Sequence, residues 1–317
     1  MVLAPYARLS PDLILDAVEH AGFVPDGRLL ALASYENRVY QVGIEDGSPL
    51  VLKFYRPQRW SDAAIAEEHA FAAEMAEAEL PMIAPMLIDG RTLLEFDGYR
   101  YAVYPRRGGR APELESPEQL AWMGRLLARM HGIGSRERFQ LRGRIDLEEF
   151  VYAPSDAVLH SDLLPHGLAQ RYEEQIERLA DVLQDCLDAA GEIRQLRLHG
   201  DCHAGNVLWT DSGPHFVDLD DARMGPAVQD LWMLASTDSA MHALLEGYAE
   251  FRDFDYAELA LVKPLTIMRQ VHWAGWVAAR WSDPAFPLAF AHVGEARWWE
   301  QHLNDLAEAE RELDRHG

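Results

Sequence analysis

His199-Gly200-Asp201-Cys202-His203-Ala204-Gly205-Asn206 is followed, after a short apolar stretch, by Phe216-Val217-Asp218-Leu219-Asp220-Asp221. The order of functional groups is carboxylate, amide, carboxylate. Transfer of a phosphoryl group calls for one carboxylate beside the attacking hydroxyl. It also calls for a second carboxylate and an amide oxygen to hold Mg²⁺ on the phosphates. The short loop from Asp201 to Asn206 lets those two side chains reach opposite ends of a reacting centre. Val207–Trp209 and His215–Val217 read as a hairpin whose turn is supplied by Asp211-Ser212-Gly213, which returns Asp218 to the side of Asn206. Three acids in Asp218-Leu219-Asp220-Asp221 also suit a solvated turn, but an aspartate directly after Phe-Val is unusual there. A competing reading is zinc, because His199, Cys202 and His203 have ligand-like spacing. That reading leaves Asn206 and Asp218 without a purpose, and no second Cys/His cluster supports it.

Outward from this segment the chain divides by hydrophobic period. Ser10-Pro11 opens an amphipathic helix closed by Gly22, with serine as cap and proline at the first position. Arg28–Ala33, Asn37–Ile44 and Leu50–Tyr55 read as an antiparallel meander, the last two joined by Glu45-Asp46-Gly47-Ser48. Ser61–Ala78 reads as a helix, and two or three more strands are expected around Ile88–Asp89, Thr92–Phe96 and Tyr99–Tyr104. After Pro105-Arg106-Arg107-Gly108-Gly109 helices dominate. The first starts at the capping box Ser116-Pro117-Glu118-Gln119 and is expected to stop at Gly132; a second long helix is expected over Arg171–Ala190. The expected plan is an α+β, two-lobed fold: a small β-rich N-lobe (1–104), a hinge (105–110) and a larger helical C-lobe (111–317).

Composition limits the partners. The 317 residues carry 29 basic and 52 acidic side chains, a net charge of −23. Such a surface repels phosphate backbones, so nucleic acid is not an expected partner. A nucleotide site on it needs local cations to reverse the field. No apolar stretch approaches the roughly 20 residues that span a bilayer, and no export signal opens the chain. With only Cys186 and Cys202, a reducing cytoplasm is the expected location and no membrane association is expected.

Protein kinases carry the related H-R-D-x-x-x-x-N and D-F-G pair. The chain resembles the aminoglycoside phosphotransferase/choline kinase superfamily and, more narrowly, the bacterial stress response kinase A family of Ser/Thr protein kinases. The resemblance lies in Ser34–Tyr40, Val51–Pro57, His199–Asn206, Phe216–Arg223, Gly225–Trp232 and Arg280–Phe286, which together span most of the chain. It implies a protein-kinase-like fold with Asp201 as the catalytic aspartate beside the acceptor and Asn206 and Asp218 as Mg²⁺ ligands. It also implies that Lys53 pairs with ATP phosphates and that Glu68, or its neighbour Glu67, holds Lys53. Ser34 and Asn37 belong to the turn expected over the phosphates, and Tyr104 completes the expected nucleotide contacts. One departure is plain: protein kinases cover the phosphates with a Gly-rich loop, whereas Ser34–Tyr40 contains no glycine.

Independently of the resemblance, Lys53 reads either as a charge on an edge strand or, lying inside the apolar run Leu50–Tyr55, as a side chain turned toward a cleft. Glu68 stands three residues after Ile65 and three before Phe71, near their inward face. Asp230 reads either as a buttress of the catalytic loop or as an ordinary helix-N-terminal acid. Trp273 and Trp276, at i and i+3, read as core packing first and as a cage for a quaternary ammonium second. Arg106, Arg107 and Arg110 are either solvated or supply positive potential at a cleft mouth.

The function so implied is an ATP- and Mg²⁺-dependent Ser/Thr protein kinase of a stress response, acting as a monomer on proteins, the chain itself among them. The alternative is a small-molecule kinase of the aminoglycoside, choline or homoserine type. A nucleotide-binding scaffold fits less well, because it need not retain Lys53, Asp201, Asn206 and Asp218 together.

Overall fold

A computed structural model describes residues 4–315; the extreme ends of the two expected lobes, residues 1–3 and 316–317, lie outside the described residues. Helix α1 (Pro11–His20) is capped by Ser10, whose hydroxyl accepts the Leu13 N–H, and it leads into β1 (Pro25–Leu32). β2 (Arg38–Ile44) and β3 (Leu50–Phe54) follow, joined by a tight turn in which Asp46 adopts φ +52°. After α2 (Asp62–Glu77) come β4 (Leu94–Phe96) and β5 (Tyr99–Pro105). The five strands form one antiparallel sheet in the order β1-β2-β3-β5-β4. Ile14, Ala17 and Val18 of α1 pack on one face of it, against Leu52, Phe54, Tyr101 and Val103. Burying each such large apolar side chain contributes about 1.5–3 kcal/mol.

Of the two or three further strands expected before the hinge, two form, and one helix end differs from expectation. Ile88–Asp89 is not a strand of the sheet; Ile88 only bridges to Arg91 across a tight loop in which Asp89 has φ +47°. The helix expected to end at Gly132 runs through it as α3 (Pro117–Gly134). Gly132 faces open space and keeps helical torsions, so nothing forces a stop. The helix ends instead where Gly134 meets the backbone carbonyl of Arg197, which a Cβ would approach to 2.1 Å.

The remainder is mainly helical. α4 (Ala153–Leu159) and α5 (Ala169–Ala189) lead to the short strand β6 (Leu196–Leu198). The hairpin β7 (Val207–Thr210) and β8 (Gly213–Phe216) comes next, then β9 (Arg223–Gly225), which pairs with β6. α6 (Val228–Trp232), α7 (Asp238–Ala249), α8 (Val262–Ala279), α9 (Ala285–Ala289) and α10 (Ala296–Asp314) complete the chain. α4, α5, α8 and α10 surround one core that includes the fully buried Trp299. A second core runs from Phe71 and Met75 of α2 through Leu127 of α3 to Val207 and Phe216 of the hairpin. The helix beside the N-terminal sheet is thereby packed onto the element that carries Asp218. Main-chain bonds reinforce this: Phe216 N–H donates to Pro81 O at 2.8 Å and Ile83 N–H to Phe216 O at 3.0 Å. No helix among the described residues is long and apolar enough to cross a membrane.

Candidate active site

The segment from His199 to Asn206 is held from behind. Asp230, fully buried on α6, accepts the N–H of His199 and of Gly200, both at 2.9 Å, and contacts His131 Nε2 at 3.1 Å. Of the two readings left open for Asp230, its geometry is that of the buttress. Gly200 has φ +82°, and a Cβ there would lie 2.1 Å from the Asp221 carbonyl, so this close crossing of the two acidic segments requires glycine. His199 Nε2 meets Val217 O at 3.0 Å and Val217 N–H donates to Asn206 O at 3.1 Å. The hairpin thus sets Asp218 beside Asn206.

Asp201 is held by three side chains and keeps part of its carboxylate open to a cavity. Arg269, from α8, donates to its Oδ1 at 2.6 Å; Asn206 Nδ2 donates to Oδ2 at 3.3 Å, and His203 Nε2 lies 3.5 Å from Oδ2. Burial pushes the carboxyl up, but the hydrogen bond from His203 and the Arg269 guanidinium more than offset this and hold it below the ordinary aspartate range. Asn206 Nδ2 also donates to Asp201 O at 2.9 Å. Its amide nitrogen is therefore committed to the loop, and its amide oxygen is the atom left for a cation. Asp218 sits at φ +63°, a costly conformation for a non-glycine residue, with its side chain about half exposed to the cleft. An amide oxygen beside a carboxylate is a hard donor set that suits Mg²⁺. The zinc ligands suggested by spacing do not converge: His199 is tied to Val217, Cys202 is buried, and among the described residues no group of three or more His, Cys, Asp or Glu could hold a metal.

Lys53 projects from β3 into this centre. Its Nζ lies 2.8 Å from Asp218, 3.2 Å from Asp220 and 3.9 Å from Glu68. Burial pushes the ammonium down, but the three carboxylates overcome it and hold Lys53 well above the ordinary lysine range. Glu68 itself is raised by burial, which Lys53 and Arg142 only partly offset. Glu67 is elsewhere: it accepts the N–H groups of Gln140, Leu141 and Arg142. So of the two candidates beside Lys53, Glu68 is the one that faces it.

The turn from Ser34 to Asn37 is closed by the Ser34 hydroxyl, which donates to Asn37 O at 3.1 Å. Asn37 is buried, and its side chain accepts the Arg56 N–H at 3.0 Å, bracing the turn from behind. Tyr104 hydrogen-bonds Tyr55 through their hydroxyls at 3.0 Å. Ser34, Lys53, Glu68 and Tyr104 line a cavity of about 400 Å³, with Arg106 and Arg107 at its edge. A second cavity, of about 470 Å³, is lined by Asp201, Arg269, Trp273 and Trp276. The two meet at Asn206 and Asp218. Trp273 and Trp276 do two things at once, packing on the C-terminal core and walling the second cavity.

Sequence reasoning missed several residues around this centre. Arg59 binds both Asp220 and Asp221, and burial notwithstanding, Arg59 and Lys53 hold the Asp220 carboxyl down at about 2. The Glu36 carboxylate pairs with Arg56 and accepts from Arg280 and the Trp276 indole. Asp283 pairs with Arg38 at 3.1 Å and Arg56 at 2.7 Å. Glu36, Arg56 and Asp283 lie inside the stretches Ser34–Tyr40, Val51–Pro57 and Arg280–Phe286, where their presence was visible but their mutual pairing was not. Arg269 had no sequence signal at all.

A model of the phosphotransferase enzyme family matches residues 28–262. The chain is 42% identical over 308 residues to a serine/threonine protein kinase RdoA of Salmonella typhimurium, covering 96% of this chain and 93% of that one. It is 43% identical over 310 residues to the stress response kinase A of Escherichia coli K12, covering 96% and 94%. Among solved structures, an amicoumacin kinase in complex with AMP-PNP, Ca²⁺ and Ami superposes with a TM-score of 0.70 at 17% identity over 95% of this chain and 93% of that one. A microcompartment-associated aminopropanol kinase gives 0.71 at 17% over 97% of each. The choline kinase of Cryptosporidium parvum gives 0.65 at 11% over 97% of each. At such identities these three likenesses speak for the fold alone.

Proposed function

Because this chain belongs to the phosphotransferase enzyme family and, within it, to the stress response kinase A family, we propose that it transfers the γ-phosphoryl group of ATP to serine or threonine hydroxyls of proteins in a stress response. The observation that carries the reading is the convergence of Lys53, Asp201, Asn206 and Asp218 where the two cavities meet. The first cavity, apolar on its walls and cationic at Lys53, Arg106 and Arg107, suits the nucleotide. The second suits the acceptor, whose hydroxyl approaches Asp201.

The acceptor oxygen bonds to the γ-phosphorus as the bond to the β–γ bridging oxygen breaks, and ADP leaves with that electron pair. Asp201 orients the hydroxyl and receives its proton. Lys53 offsets charge on the phosphates, and Asp230 keeps the loop at its station by holding two backbone N–H groups. A divalent cation on Asn206 and Asp218, Mg²⁺ by the hardness of these ligands, would neutralise charge on the transferring group. Positioning and electrostatics carry the acceleration, since little covalent chemistry falls to the protein. Within this reading residues 105–110 are the hinge and the enzyme works as a cytoplasmic monomer.

A small-alcohol acceptor is the second reading. The aromatic walls Trp273 and Trp276 favour it. Incubation with labelled ATP, followed by phosphoamino-acid analysis of the chain and of generic proteins beside a panel of small alcohols, separates the two. Label on serine or threonine is expected. Saturable turnover of one small alcohol with no label on protein overturns the protein acceptor.

A further inference from the structure

We infer that Arg269 makes the acceptor cavity selective for a hydroxyl flanked by carboxylates, so that the preferred acceptor is a serine or threonine in an acidic segment of chain. The inference rests on the reading of Asp201 as the residue beside the acceptor hydroxyl.

One face of α8 forms the wall of that cavity. Arg269, His272, Trp273 and Trp276 stand at i, i+3, i+4 and i+7, the spacing of a single helical face, and all four line it. Other cations of the cavity are already spoken for. Arg59 is only slightly exposed and bound to both Asp220 and Asp221; Arg223 is buried and bound to Asp221 and Glu149. Arg269 differs on both counts. Its side chain is 34% exposed, and among the described residues its ion pair is with Asp201 alone. A guanidinium carries five N–H donors in a planar fork, so donors remain after the bond to Asp201. His272 adds no charge: burial and the neighbouring Arg223 push it down to about 4, and it stacks on Phe150 at 4.5 Å.

Asp201 takes one donor of Arg269 and offsets its charge, and the cavity's other acids are held elsewhere: Asp218 by Lys53, Asp220 by Lys53 and Arg59, Asp221 by Arg59 and Arg223, and Glu36 by Arg56 and Arg280. The remaining N–H donors of Arg269 are therefore not taken up by a second carboxylate. A hydroxyl bonded to Asp201 must come within about 3 Å of its carboxylate, and Arg269 already lies 2.6 Å from the same group. Whatever charge the acceptor bears next to its hydroxyl is therefore presented to Arg269 at short range. A carboxylate can accept two of the free N–H groups side by side. An ammonium meets a like charge, which is the sign that discriminates against a partner. The chain's net charge of −23 works against acidic ligands only from afar, since exposed charges beyond about 8–10 Å are largely screened at physiological salt.

The test uses the full chain and three peptides that share one serine and differ in having aspartate, glutamine or lysine on both sides of it. Binding in the presence of ADP is read by calorimetry, and transfer by labelled ATP. The aspartate peptide is expected to bind at least about ten-fold more tightly than the lysine peptide, a ratio that like- and opposite-charge contacts at one site can supply. The difference in transfer should lie in KM more than in kcat. Arg269→Gln should compress the ratio to about three-fold or less by removing the charge while leaving ADP affinity within a few-fold, and Arg269→Lys should restore most of it. An undiminished ratio in Arg269→Gln, a lysine preference in the parent, or no binding of the aspartate peptide overturns the inference. Asp201→Asn tells the two readings apart: it should stop transfer yet keep the binding preference. Persistent transfer in that variant sinks the role of Asp201, while calorimetry still decides Arg269.

Discussion

Arg56 donates to Asp283 at 2.7 Å, joining the end of β3 to the segment between α8 and α9. The same arginine donates its guanidinium to the Glu36 carbonyl and its backbone N–H to the Asn37 side-chain oxygen, so the glycine-free turn over the cleft is braced from the helical lobe. Glycine-rich loops reach phosphates by backbone freedom; this turn holds its shape through a network of buried ion pairs. Asp283→Ala leaves Arg38 and Arg56 without their shared carboxylate. Breaking one side of a buried pair typically costs about 3–5 kcal/mol. The expected outcome is a clear fall in melting temperature together with a several-fold rise in KM for ATP. Thermal unfolding and steady-state kinetics check it, and an unchanged KM for ATP would detach the brace from the nucleotide.

Asp201→Asn is expected to abolish transfer while ATP affinity stays within a few-fold, because Asp201 lines the acceptor cavity and not the first one. A positioned acid–base group contributes roughly 10²–10⁴-fold. Retention of more than about a tenth of kcat contradicts the assignment. Single-turnover transfer and nucleotide titration are the measurements.

Asp218→Ala should behave differently. It removes the carboxylate 2.8 Å from Lys53 and half of the donor pair proposed for the cation. Nucleotide binding should weaken in the presence of Mg²⁺ and lose most of its dependence on Mg²⁺. Titrating ATP with and without the metal decides this; a parent-like Mg²⁺ dependence in the variant refutes the role.

Those parts of the fold and site that depend on short-range pattern were legible in the sequence. Serine and proline at the starts of α1 and α3, the Asp46-Gly47 turn, and the hairpin that returns Asp218 to Asn206 are local chemistry, and each is where its residues predict. The bend at Ile88–Asp89 and the continuation of α3 past Gly132 depend on what packs alongside, which periodicity does not encode. The choice between Glu67 and Glu68 is of the same kind. Adjacent residues on a helix point about 100° apart, and only the placement of residues 140–142 shows which carboxylate is drawn away from Lys53. Arg269 reaches Asp201 from a helix 68 positions along the chain. No local rule pairs an arginine on one element with an aspartate on so distant another.

Glu258 makes the stability of the fold depend on pH. It is buried, and it caps α6 by accepting the Val228 N–H at 2.8 Å, two residues before Asp230. Burial pushes its carboxyl up to about 7, and the Val228 hydrogen bond only partly opposes this. The folded state therefore keeps the proton over a range in which the unfolded chain, at an ordinary glutamate value, has lost it. The unfolded state binds fewer protons there, so stability falls as pH rises from about 4.5 to about 7 and then levels off. A shift of that size corresponds to a penalty on the order of 1–3 kcal/mol at pH 8. Glu258→Gln keeps an oxygen that can accept the Val228 N–H and removes the ionisation. The variant should be more stable than the parent at pH 8, by up to that amount, and should match it or fall slightly below it near pH 4.5. Urea unfolding at both pH values measures the difference. Equal destabilisation at the two pH values would mean that Glu258 serves α6 as an ionised cap throughout.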